Sequence, residues 1–171
     1  MSDASDDALR DALAAGRHEA FAALYDRYAA MLFRVAHSLV GSAADAEDAV
    51  QDVFVGLVRA GAGLARVRNL RAYLFAAVRR AAYRRAMRRP GAAGAPARQA
   101  PPPCEDPRLD RLNRTLRALP PEQRDVVALK TEAGLTFAEI AAVLGVSPNT
   151  AASRYRYALA RLRAALGEDG P

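Results

Sequence analysis

Tryptophan is absent from the 171 residues, cysteine occurs once at Cys104, and lysine once at Lys130. A single cysteine excludes an intramolecular disulfide and a cysteine metal cluster. No run of about 18 apolar residues occurs, which excludes a transmembrane helix. Aromatics make up only 6% and β-branched residues are sparse, so little favours sheet. Ala, Leu and Arg dominate instead, and they favour helix. The opening Met1-Ser2-Asp3-Ala4-Ser5-Asp6-Asp7 is acidic, the reverse of the basic start of a secretory signal. A cytoplasmic location is therefore expected. The length fits one domain or two small ones.

The net charge of +6 hides a division. Residues 1–58 carry four Arg against ten Asp and Glu; residues 59–104 carry eleven Arg and no acid; residues 105–171 are nearly balanced. An acidic block followed by a basic one points to different partners for the two parts. A polyanion, either nucleic acid or a membrane surface, suits the basic block.

Apolar residues at Phe21, Leu24, Tyr25, Tyr28, Leu32, Val35 and Leu39 recur at steps of three and four and predict a helix over 18–39. Gly41 ends it and Ser42 caps the next, expected at 43–59, with Gly61 and Gly63 as breakers. A third helix is expected at 70–88, and a short amphipathic one at 5–15. Residues 90–107 hold too much Pro and Gly for helix and read as a flexible linker. The linker divides the chain into domains at 1–89 and 108–171, small enough for each to lean on a partner. Helices follow at 107–118, with Leu109, Leu112, Leu116 and Leu119 on one line, and at 121–133. Thr136 and Glu139 form a capping box for a helix to Leu144, and Ser147-Pro148 opens the last helix, 148–166. The expected fold class is all-α.

Residues 136–166 have the layout of a helix-turn-helix, with Gly145 in the turn. On the second helix, Tyr155, Leu159, Leu162 and Leu166 share one side with Ala151 and Ala158. The other side presents Asn149, Ser153, Arg156 and Tyr157, with Thr150, Arg154 and Arg161 at its edge. Short polar residues there suit base edges and Arg suits phosphates. An amphipathic helix in a small bundle is the plainer alternative.

Six Arg with an interleaved Tyr83 crowd residues 79–89, after Tyr73 and Phe75. Arg tracks phosphates and aromatic faces stack on unpaired bases, so a single-strand surface is one reading. A membrane-surface helix needs bulky apolar anchors where this one has Ala. A solvated helix end is the third reading. On the second helix, Asp45, Asp48 and Asp52 fall on one face, opposite Ala46, Val50, Val53, Phe54 and Leu57, with Glu47 and Gln51 on the flank. Protein docking and simple solvation fit this face equally, and first-turn acids also suit the helix dipole. No His lies at ligand spacing, so no metal is expected; His18 and His37 read as surface or boundary residues.

Together these segments resemble the extracytoplasmic-function group of the sigma-70 family. The resemblance is carried by Asp45-Ala46-Glu47-Asp48-Ala49-Val50-Gln51-Asp52-Val53-Phe54, by Leu119-Pro120-Pro121-Glu122-Gln123-Arg124-Asp125-Val126-Val127, and by Leu135-Thr136-Phe137-Ala138-Glu139-Ile140-Ala141 with Gly145-Val146-Ser147-Pro148-Asn149-Thr150. It implies a region 2 bundle, a linker and a region 4 helix-turn-helix. It also implies a subunit that binds core RNA polymerase, at the β′ clamp helices and β flap, and directs promoter recognition and melting.

By the same resemblance, Asp45, Glu47, Asp48, Gln51 and Asp52 would meet polymerase. Arg68, Asn69, Tyr73, Arg79, Arg80, Tyr83 and Arg84 would hold the melted −10 strand. Ser147, Asn149, Thr150, Ser153, Arg154, Arg156, Tyr157 and Arg161 would face the −35 duplex. No catalytic residue and no cofactor is implied. An anti-sigma protein is an implied partner, membrane insertion is not, and a monomer is expected.

The sequence departs from the family pattern in places. Tyr73 stands where Trp is usual, Arg80 replaces a frequent Asn and Arg84 a following Asp. Ala152 and Tyr155-Arg156-Tyr157 differ in the recognition helix, so neither promoter element carries over. Two other functions fit parts of the pattern. A stand-alone helix-turn-helix regulator would need a dimer interface, and no amphipathic helix beyond 166 supplies one. A carboxylate metal hydrolase on Asp45, Asp48 and Asp52 lacks further ligands.

Overall fold

Leucine and valine at helical spacing give each helix one apolar stripe, and those stripes decide how the chain packs. The computed structural model describes residues 3–88 and 106–167, which are helical with no strand among them. The chain divides into two compact units, Met1–Ala97 and Arg98–Pro171. The expected linker, apart from Asp106 and Pro107, lies outside the described residues, as does Cys104.

In the first unit α1 spans Asp3–Ala14, α2 His18–Val40, α3 Ala43–Ala60 and α4 Leu70–Met87, with a 3-10 segment at Gly61–Arg66 between α3 and α4. Helices α2, α3 and α4 pack on one another, and α1 lies against α2, α4 and the 3-10 segment. Leu24, Leu32, Val35 and Leu39 of α2 bury fully, as do Leu57 of α3 and Leu74, Phe75 and Val78 of α4. Each such side chain contributes about 1.5–3 kcal/mol of burial. Small residues are buried on both α3 and α4, which pack on each other: Ala46 and Ala49 on one helix, Ala81, Ala82 and Ala86 on the other.

Tyr28 sets its ring edge-on to Phe75, with 6.4 Å between centroids. Its hydroxyl donates to Asp6 Oδ2 at 2.6 Å, while Arg27 Nη1 donates to Asp6 Oδ1 at 2.7 Å. Burial first, then the Asp6 hydrogen bond and charge, push the Tyr28 phenol well above its ordinary range. One expectation fails here. Tyr25 is not core but 56% exposed, at the margin of the α2 stripe, with its ring against Phe54 at 5.0 Å.

In the second unit α5 spans Pro107–Ala118, α6 Pro121–Thr131, α7 Phe137–Leu144 and α8 Pro148–Leu166. Leu119, Val127 and Ala158 form a buried cluster, with Leu116 and Tyr155 packed against it. The leucine line of α5 is shallower than its spacing predicts. No residue of α5 is buried and Leu109 is largely exposed, because α5 packs chiefly against the single helix α8. Buried Arg124 of α6 closes the α5–α6 corner, its Nη2 donating to the carbonyls of Arg117 and Leu119 at 2.8 and 2.9 Å.

Candidate nucleic-acid and partner interfaces

Ser42 starts α3 by accepting from the Asp45 amide at 3.3 Å, which fixes the rotation of the acidic face. Asp45, Asp48 and Asp52 are half-buried, while Glu47 and Gln51 are exposed. Glu47 and Gln51 border an open groove of about 980 Å³ between α2 and α3. Tyr25, Phe33, Val50, Phe54 and Val55 give that groove an apolar lining, and Asp26 and Arg34 add charge.

The sequence pattern places the three Asp side chains outward, for docking or for solvation. The structure gives Asp48 and Asp52 a partner within the fold. Arg85 of α4 donates through Nε and Nη2 to both oxygens of Asp52, at 3.1 and 2.7 Å, and through Nη1 to Asp48 at 3.1 Å. The Arg85 hydrogen bond, more than its charge, holds the Asp52 carboxyl below the usual carboxylate range. No local signal marks this pair, since 33 residues separate its members.

Along α4 the basic residues therefore divide. Arg85 turns back to α3, whereas Arg80 and Arg84 are exposed. Arg79 sits over the Tyr83 ring, 5.4 Å from its centroid, a cation–π pair that presents ring and charge together. Tyr73 is half-buried, and Arg68 is exposed in the approach to the helix. Asn69, expected at the strand, is the N-cap of α4, where its Oδ1 accepts from the Ala72 amide at 2.8 Å. Helix α4 contains no acidic residue.

In the second unit the capping box forms. Thr136 N–H donates to Glu139 Oε2 at 2.7 Å, and Glu139 N–H to Thr136 Oγ1 at 3.2 Å. Gly145 then turns the chain at φ 67°, a left-handed conformation that glycine adopts at little cost. Ser147 caps α8 through the Thr150 amide at 3.0 Å, and the two hydroxyls lie 2.8 Å apart. Both expected DNA contacts at this end thus also serve the helix start. Ala151, Ala158 and Leu162 face inward. Asn149, Arg156, Tyr157 and Arg161 are exposed, Ser153 and Arg154 half-buried, and Arg156 Nη2 donates to Ser153 Oγ at 3.1 Å. Among the described residues no cluster of three or more His, Cys, Asp or Glu is placed to hold a metal ion. No helix there is long and apolar enough to cross a membrane.

The three surfaces sit in an order that a known family shares. Residues 24–90 match the Sigma-70 region 2 family, and residues 109–162 match Sigma-70, region 4. An ECF RNA polymerase sigma factor of Mycobacterium tuberculosis, SigL, is 35% identical over 159 residues, covering 86% of this chain and 89% of its own. The chain belongs to the extracytoplasmic-function group of the sigma-70 family. Its function is that of an RNA polymerase sigma factor, and the stand-alone regulator is not favoured.

Two solved structures are also similar. CnrH, in complex with the cytosolic domain of CnrY, matches with a TM-score of 0.77 and 30% identity, over 96% of this chain and 99% of that one. The sigma factor RpoE of Bartonella quintana, in complex with the anti-sigma factor NepR, matches with a TM-score of 0.60 and 26% identity, over 81% and 91%.

Proposed function

We propose that the sigma factor divides its work among three surfaces. Asp45, Glu47, Asp48, Gln51 and Asp52 dock on core polymerase. Arg68, Asn69, Tyr73, Arg79, Arg80, Tyr83 and Arg84 hold the melted −10 strand. Asn149, Ser153, Arg154, Arg156, Tyr157 and Arg161, with Ser147 and Thr150 at the helix start, face the −35 duplex. Domains at 1–89 and 108–171 carry these tasks, with 90–107 as the connection.

The observation that carries this reading is the separation of charge. Helix α3 carries four acids, Asp45, Glu47, Asp48 and Asp52, while α4 and α8 contain none. Arg beside stackable rings suits unpaired bases, and short polar residues ahead of Arg suit a major groove. The chain supplies no catalytic group of its own; it selects promoters for the polymerase, in the cytoplasm. An anti-sigma protein is a partner in this reading, supported by the complex of the sigma factor RpoE with the anti-sigma factor NepR.

Gel filtration with and without core RNA polymerase tests the docking claim, followed by anisotropy on promoter-sized duplexes. Co-elution with core and weak DNA binding by the free chain are expected. A free dimer that binds duplex tightly and ignores core would overturn it.

A further inference from the structure

Helix α1 lies outside the segment that matches region 2, which begins at residue 24. Nothing in its sequence marks it for a role beyond packing. Its one arginine nevertheless reaches across the fold. Arg10 Nη1 donates to the backbone carbonyl of Val67 at 3.2 Å. The guanidinium is aimed by two carboxylates on its own helix, Asp7 at 2.7 Å and Asp11 at 2.9 and 3.0 Å. Its side chain is 17% exposed, while the two carboxylates lie nearer the solvent at 59% and 66%.

Val67 is the residue that leaves the 3-10 segment. Its N–H donates to the Leu64 carbonyl at 2.9 Å, so both of its backbone polar groups are engaged. Two residues later Asn69 is fixed as the α4 cap. Arg68 stands exposed between these two anchored positions. The 3-10 segment beneath is seated by Leu64, fully buried, and α1 packs on it with Leu13, also fully buried.

We infer that Arg10 is a positioning residue for −10 recognition: it fixes the Val67 carbonyl and thereby the direction in which Arg68 and the start of α4 meet the unpaired strand. The inference rests on the proposed placement of that strand at α4. A recognition loop held at both ends loses little conformational freedom on binding, and a displacement of about 1 Å in a positioned group is enough to cost specificity. Asp7 and Asp11 act one step further back, holding Arg10 in the conformation that reaches Val67.

The test uses the full chain with core polymerase. Wild-type holoenzyme first selects its preferred −10 sequence from duplexes randomised at that element. Arg10→Met, Arg10→Lys and the Asp7→Asn, Asp11→Asn double variant are then measured for core binding, for binding of the −35 duplex, and for preference between the selected and mismatched −10 strands. The Met variant is expected to lose about tenfold in that preference, the scale of one charge-assisted hydrogen bond. Core and −35 binding stay unchanged. Lys restores most of the preference because it still offers one donor to the carbonyl, and the double variant falls between. Unchanged −10 preference in the Met variant overturns the inference. So does a parallel loss in core binding and helix content, which would make Arg10 a packing residue only. If wild-type holoenzyme selects no −10 sequence, the placement of the strand fails instead, and the inference falls with it.

Discussion

Arg85 grips both carboxylate oxygens of Asp52, one through Nε at 3.1 Å and one through Nη2 at 2.7 Å, and so ties the acidic helix to the basic one. The pair has a signature in pH. Asp52 lies below the usual carboxylate range in the folded protein because Arg85 hydrogen-bonds its charged form. Its contribution to stability is therefore full above about pH 4, the ordinary carboxylate value, and is lost as pH falls through the depressed folded value. Asp52→Asn is expected to flatten the acid limb of thermal stability below about pH 4. The Asp52 side chain is 35% exposed, so the neutral-pH loss stays under about 1 kcal/mol. An acid limb identical to wild type would show that the pair contributes nothing.

The same pairing makes Asp48 and Asp52 poor places to test docking, since any substitution also disturbs α4. Glu47 is the cleaner probe. It is exposed, and it borders the α2–α3 groove. Glu47→Lys should weaken core polymerase binding by at least about tenfold, as charge reversal at a complementary interface does, while folding stability moves by less than about 0.5 kcal/mol. Full retention of core binding would remove Glu47 from the docking surface.

Arg154 and Arg156 of α8 are assigned to phosphates. Replacing each by Ala should weaken binding to −35 duplexes nearly uniformly across sequences. The slope of log affinity against log salt should fall by about one for each phosphate no longer neutralised. Substitution of Asn149 should instead alter which sequences are preferred. A salt slope that survives the double Arg replacement would count against the assignment.

Arg124 is a stability residue at an unusual place for a charge. Its Nη2 serves two carbonyls at the end of α5, and those acceptors lose a buried donor when it goes. Arg124→Met keeps much of the apolar stem and removes the donor. A loss of about 2–3 kcal/mol is expected, from the value of hydrogen bonds to charged groups. Denaturant unfolding of the full chain would show it as an earlier transition accompanied by loss of −35 duplex binding. Unfolding unchanged from wild type would mean that water replaces the guanidinium.

Much of the fold was legible because its signals are local. Ser42, Thr136, Ser147, Gly41 and Gly145 stand at helix ends, where side-chain oxygens or a free φ satisfy the backbone. Helix boundaries therefore followed from the sequence to within a few residues. What was not legible is long-range. Periodicity marked Tyr25 and Leu109 as apolar but cannot say whether a second helix comes to cover them. Likewise Asp6 with Tyr28, Asp48 and Asp52 with Arg85, and Arg10 with Val67 are joined only by tertiary packing. In the candidate sites the residue types were readable from pattern. That Asn69 caps α4 and that the Thr150 hydroxyl meets Ser147 emerged only from geometry.

Lys130 donates to the Leu135 carbonyl at 3.0 Å and lies over the Phe137 ring, 5.0 Å from its centroid. The lone lysine amine of this sequence is thus spent on the turn into the helix-turn-helix, and every cation assigned to DNA is a guanidinium. Acylation, which tunes many nucleic-acid binders by erasing ammonium charge, has no purchase on these surfaces. Arginine also keeps its proton throughout the biological pH range. The positive charge on the DNA-facing surfaces is therefore constant at every pH the cell visits, and acylation cannot discharge it.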